Sequence, residues 1–157
     1  MRITLPELLD QLRADYPRLG FELGETFFWS PKDDTITYRM ESMRPELGTW
    51  SLLHEVGHAD LGHRTYGSDF ELVRLEMDAW QRARAIAKKY KIEIDPEHIQ
   101  DCLDTYRDWL HKRSTCPACG IVSLQSDPRH YKCFNCRSSW QVSASRFCRP
   151  YRRKQPA

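Results

Sequence analysis

The chain has 157 residues, 40% of them hydrophobic and 29% charged. That length supports one core of ordinary size, or a smaller core with an appended module. No apolar run approaches the ~20 residues of a membrane-spanning helix, which excludes an integral helical membrane protein. The net charge of +2 conceals an asymmetry: from Arg113 onward nine Lys/Arg face one acid, Asp127, whereas the preceding residues hold 15 bases and 21 acids. An acidic body over 1–112 is therefore expected, followed by a basic C-terminal module.

The first segment, Leu5 to Tyr16, has apolar residues at 5, 8, 9, 12 and 16, with Pro6 in the first turn, and predicts a helix. Nothing around Met1 to Asp10 has the shape of a signal-peptide core, so a cytoplasmic location and no membrane partner are expected. Thr26–Trp29 and Thr35–Met40 are aromatic and β-branched, and the turn-like "SPKDD" separates them, which predicts a β-hairpin. Thr49 is placed to cap a helix running to about Leu61, with Gly62 as its stop. Ser68 and Glu71 form a capping box for a long helix from about Asp69 to Tyr90. Asp95 and Pro96 open a third long helix, apolar at 99, 102, 103, 106, 109 and 110, which ends near Lys112. Cys102 falls on that apolar stripe and reads as a buried thiol. The tail over 146–157, basic and proline-flanked, is expected to be disordered.

His54-Glu55-Val56-Gly57-His58 is an H-E-x-x-H motif. On a helix, positions i and i+4 share a face, so both imidazoles reach one ion. Glu55 then stands beside the metal, where it can take a proton from water and pass it to a leaving amine. Short motifs also arise by chance; the apolar neighbours Leu52, Leu53, Val56 and Ala59 favour a built site. A catalytic zinc takes three protein ligands and keeps one position open. His63 is the nearest candidate for the third. It follows His58 by five residues, whereas the long histidine motif of the Met-turn class needs six, with glycine at +3. An ordinary helix-end histidine is the simpler account of it.

Acids on the following helix are the other source. At 100° per residue Glu76 sits among Leu72, Val73, Ala79, Trp80 and Ala83, a lone carboxylate on an apolar face. Asp78 points nearly the opposite way, with Arg74 and Arg82 at i−4 and i+4 as ion-pair partners. Burying Glu76 alone costs several kcal/mol unless a cation or donor meets it, on the order expected for an isolated charge. Glu76 is therefore the assigned third ligand; His63 and Asp78 remain alternatives. Tyr66, His63 and Arg74 are candidates to stabilise an oxyanion.

The pattern H-E-x-x-H, seventeen residues, then Glu resembles zinc metallopeptidases that draw a glutamate from a following helix. "HEVGHADLGH" followed by "LEMDAW" is most similar to the ImmA/IrrE family of small intracellular metallopeptidases, over roughly Gly48 to Ala83. The resemblance implies a helix–sheet core, one zinc, and cleavage of a protein partner, often a transcriptional repressor. It matches His54 and His58 to the histidine ligands, Glu55 to the catalytic glutamate, and Glu76 and Asp78 to the two downstream acids. A zinc ribbon after an H-E-x-x-H domain resembles the SprT-like proteases instead. Their third ligand is a histidine, and this chain has none between His63 and His98.

Cys116, Cys119, Cys133 and Cys136 give C-x2-C-x13-C-x2-C. Four thiolates close a tetrahedral site, so this zinc is structural, and a module this small needs it to fold. Gly120 permits the first knuckle. Cys148 has no assigned role. The module's bases (Arg113, Arg129, Lys132, Arg137, Arg146, Arg149, Arg152, Arg153, Lys154) alternate with Tyr131, Phe134, Trp140 and Tyr151. Such a surface suits phosphate contact and base stacking, so DNA or RNA is a candidate partner; docking on a protein fits equally.

The expected molecule is α+β: a small zincin-like metallopeptidase core over 1–112, with helices packed on a short hairpin or sheet, and a zinc ribbon over 113–145. The expected function is an intracellular zinc-dependent peptidase with two Zn2+, one catalytic and one structural, and a protein substrate. The rival is a non-catalytic ribbon protein with a vestigial H-E-x-x-H site.

Overall fold

A computed structural model describes residues 2–40 and 43–143, and the backbone of 152–154. The fold is α+β. It divides into two compact units, Met1–Thr65 with Leu75–Ile99, and Tyr66–Arg74 with Gln100–Ala157. The expected boundary at 113 thus falls inside a continuous helix, and the second unit draws in a short stretch from the middle of the chain.

The first unit begins with α1, Leu5–Asp15, capped by a reciprocal box: the Glu7 amide donates to Thr4 Oγ1, and the Thr4 amide donates to Glu7 Oε2 at 2.7 Å. Its leucines at 5, 8, 9 and 12 are buried. Strands β1 (Gly20–Leu23), β2 (Phe28–Ser30) and β3 (Thr35–Tyr38) form one sheet in the order β1-β3-β2. The β2–β3 hairpin matches the sequence expectation, and Asp34 takes the positive φ of its turn. Strand β1, parallel to β3, was not anticipated. Its short, half-exposed "GFEL" lacks the alternation that marks a strand, and its pairing is non-local.

Helix α2, Pro45–Asp60, packs on α1, β2 and β3. It starts five residues earlier than expected, with Arg44 rather than Thr49 at the cap position and Pro45 in its first turn. Thr49 lies inside it and its hydroxyl donates to the Glu46 carbonyl at 2.8 Å rather than capping. The predicted stop holds: Gly62 has φ +68°, and the His63 amide donates back to the His58 carbonyl at 3.0 Å. Helix α3, Asp69–Lys89, has Ser68 accepting from the Glu71 amide, while Glu71 reaches back to the Gly67 amide instead of completing a strict box. Helix α4 runs Pro96–Ser114, two residues beyond the expected end.

The second unit holds a four-stranded antiparallel sheet, β4 (Leu124–Asp127), β5 (His130–Lys132), β6 (Ser139–Val142) and β7 (Arg152–Lys154), in that order. Strand β7 lies in the tail expected to be disordered; the tail's residues 146–151 and 155–157 lie outside the described residues, as does Cys148. Cys116, Tyr131, Cys133, Trp140 and Val142 form a small core here, with the Tyr131 and Trp140 rings stacked. Among the described residues no helix is long and apolar enough to cross a membrane.

Candidate metal centres

The H-E-x-x-H residues sit on α2, whose Leu52, Leu53 and Val56 are fully buried. Gly57, inside the motif, faces α3. A Cβ at this position would lie 2.5 Å from the Ala79 carbonyl oxygen and 3.3 Å from the Ala83 amide nitrogen. Only the glycine lets the two backbones approach this closely. Glu76 lies one turn before Ala79, and the close crossing delivers its carboxylate to the histidines. Glu76 Oε2 is 3.0 Å from His54 Nε2, Oε1 is 3.1 Å from His58 Nε2, and the two Nε2 atoms are 3.1 Å apart. His54, His58 and Glu76 are all buried, Glu76 to 3% exposure.

Among the described residues these three side chains form one of two groups that could hold a metal ion. Two imidazole nitrogens turned toward each other, each also facing a carboxylate oxygen, fit a shared cation. If each Nε2 carried a proton for the carboxylate, the two N–H groups would face each other. Donors around a tetrahedral zinc stand roughly 3.3 Å apart, given bonds of about 2.0–2.1 Å, which is close to these separations. Burial pushes the Glu76 carboxyl up, but the hydrogen bonds and charges of His54 and His58 outweigh it and hold the group well below the usual carboxylate range. The His54 ring stacks on Trp80 at 4.2 Å between centroids, and its Nδ1 is buried without a hydrogen-bond partner.

Of the alternative ligands, His63 does not join the cluster. Its Nδ1 lies 2.9 Å from His58 Nδ1, on the far side of that ring, and the Trp29 indole donates to its carbonyl at 2.8 Å. Burial, with the neighbouring His58, lowers the His63 pKa. Asp78 is half-buried and outside the cluster; Arg82, expected beside it, donates to Asp60. Its charge reaches His63, whose pKa it raises against the burial effect. Glu55 is half-exposed, unlike the buried three. Tyr66 and Arg74 belong to the second unit. Gly57, Trp29 and Trp80 were missed as site residues. The signal for Gly57 was present in its small partners Ala79 and Ala83, one turn apart; nothing local marks Trp29.

The second group is Cys116, Cys119, Cys133 and Cys136. Sulfur separations are 3.6 Å for Cys116–Cys136 and 3.5 Å for Cys119–Cys133. Sulfurs around one zinc, with bonds of about 2.3 Å, stand about 3.8 Å apart. The two knuckles share an amide-to-carbonyl bond four residues on and differ in which amide meets the sulfur. In the first, the Ala118 amide donates to Cys116 Sγ and the Gly120 amide to the Cys116 carbonyl; in the second, the Cys136 amide donates to Cys133 Sγ and the Arg137 amide to the Cys133 carbonyl. Gly120 and Arg137 both have positive φ, +79° and +63°. The Cys136 amide is the main cause of a Cys133 pKa lowered to about 6, which favours the thiolate that metal requires. These donors fit a tetrahedral soft-metal site.

The expected nucleic-acid surface loses several members. Arg113 is 2% exposed; its guanidinium donates to Asp69 at 2.8 Å and to the Ser143 carbonyl at 2.6 Å, and lies over the Trp109 ring. The Tyr131 hydroxyl donates to Asp69 at 2.6 Å, and the Trp140 indole to the Arg113 carbonyl at 2.8 Å. These residues build the core rather than a binding face. Phe134, at 70% exposure, lies with Lys132 and Arg137 around a shallow depression. Arg146, Arg149 and Tyr151 lie outside the described residues.

Comparison of the chain with family models, with curated proteins and with solved structures finds no match.

Proposed function

We propose that the chain is an intracellular zinc-dependent metallopeptidase of the ImmA/IrrE-like kind, cleaving a protein partner. The observation that carries this reading is the convergence of His54 Nε2, His58 Nε2 and both Glu76 oxygens at 3.0–3.1 Å beside a half-exposed Glu55. His54, His58 and Glu76 would hold a zinc ion, which would supply Lewis-acid polarisation of a peptide carbonyl and acidification of water. Glu55 is the general base: it takes the proton of the attacking water and returns it to the leaving amine nitrogen. Glu76, whose carboxyl His54 and His58 hold well below the usual carboxylate range, serves as a ligand. The ribbon's cysteines hold a second, structural zinc, and the ribbon recruits the substrate, a regulator or a nucleic-acid-bound protein.

The test combines metal analysis with one conservative substitution. Two zincs per chain are expected, and Glu55→Gln retains both while lowering cleavage of a partner about 10²–10⁴-fold, the usual contribution of a general base. Partners captured by the Glu55→Gln form in cells identify the substrate. One zinc per chain, lost on Cys116→Ser and indifferent to His54→Ala, overturns the peptidase and leaves a ribbon protein with a vestigial site.

A further inference from the structure

We propose that His63 is a positioning residue of the metal centre: it selects the tautomer of His58 whose Nε2 lone pair faces the cation. The inference rests on the reading of His54, His58 and Glu76 as metal ligands. The His58 ring is used on both sides. Its Nε2 lies 3.1 Å from both Glu76 Oε1 and His54 Nε2, and its Nδ1 lies 2.9 Å from His63 Nδ1. Two imidazole nitrogens at that distance share one proton. If His63 supplies it, neutral His58 must carry its own proton on Nε2, and an N–H then points into the ligand cluster. If His58 Nδ1 supplies it, Nε2 presents a lone pair to the ion. The ligand-competent arrangement is therefore the one in which His63 accepts.

The backbone fixes His63 for that role. Gly62 reverses the chain at φ +68°, the His63 amide donates to the His58 carbonyl, and the Trp29 indole from β2 donates to the His63 carbonyl at 2.8 Å. The two rings meet at 65° with centroids 5.1 Å apart, an edge-on approach that aligns the nitrogens. His54 has no such outer partner among the described residues, because its Nδ1 is buried without one. The orientation of the pair is thus carried by His58 and its neighbour. Outer partners of this kind are worth about 10–100-fold in metal affinity.

The test is zinc competition against a chromophoric chelator on the full chain, with the ribbon zinc as internal reference. His63→Ala is expected to weaken the three-ligand site 10–100-fold and leave the ribbon zinc unchanged. His63→Leu, which fills the space without an acceptor, is expected to behave like His63→Ala and decides the question should the alanine variant fail to fold. His63→Asn, whose amide oxygen can accept from His58 Nδ1, is expected to recover most of the affinity. Nitrogen-15 spectra of the zinc form are expected to place the His58 proton on Nδ1 in the parent and in His63→Asn. Parental affinity in His63→Ala or His63→Leu overturns the inference, as does an asparagine variant as weak as the leucine one. A parent chain that holds no metal outside the ribbon removes the peptidase reading and this inference together.

Discussion

Asp15 and Tyr90 illustrate what a single polar pair does in a unit this small. The Tyr90 hydroxyl donates to Asp15 Oδ2 at 2.6 Å and Lys89 lies 3.0 Å from the same oxygen, tying the ends of α1 and α3 together. The Tyr90 hydrogen bond, with Lys89, holds the Asp15 carboxyl below the ordinary 3.8, and burial followed by Asp15 raises the Tyr90 phenol above the ordinary 10. A depressed carboxyl stabilises above its unfolded pKa, and a raised phenol stabilises below its own. Tyr90→Phe is therefore expected to lower Tm by a constant amount between about pH 4 and pH 10, the window set by those two ordinary values. The difference shrinks on either side; thermal melts across pH check it. The burial of Glu76 beside His54 and His58 was legible at this scale, because a lone acid on an apolar face is a visible anomaly. That of Arg113 was not, because a count of charges is blind to burial. Asp69, which that arginine meets, is 44 residues away in sequence.

At the scale of elements, the close crossing of α2 and α3 brings His54, His58 and Glu76 together as a candidate metal site. Gly57→Ala adds one methyl against the Ala79 carbonyl and the Ala83 amide. Overpacking costs about 1–3 kcal/mol, offset by up to about 1 kcal/mol of helix propensity. A net loss on the order of 1 kcal/mol in denaturant unfolding is expected, together with weaker zinc binding at the three-ligand site, since Glu76 moves with α3. Loss of stability with parental zinc affinity would sever that link. The four helices were legible from periodicity, proline and capping residues. The start of α2 was not, because Thr49 resembles a cap while Pro45 sets the actual first turn. Strand β1 was illegible for a different reason: parallel pairing with β3 is a long-range event with no local mark.

At the scale of the whole chain, the two candidate metal groups found among the described residues differ in closure. Around a metal ion four thiolates would complete one coordination shell, whereas two imidazoles and a carboxylate would leave the other with room for a fourth group. A chelator is therefore expected to remove the zinc of His54, His58 and Glu76 first and the ribbon zinc later. Cysteine reactivity toward a disulfide reagent should rise only with the second release, and simultaneous loss would contradict the assignment. Motif spacing announced the four cysteines and the two histidines, and the helical wheel added Glu76, whereas the division of the chain did not follow its charge step, because α4 runs uninterrupted through it. The stack of His54 on Trp80 has a practical use. Indole emission is sensitive to the electronic state of an aromatic ring lying against it, so a metal ion loading that imidazole is expected to change the light from this tryptophan. The Trp80→Phe form is the blank against which to read such a change.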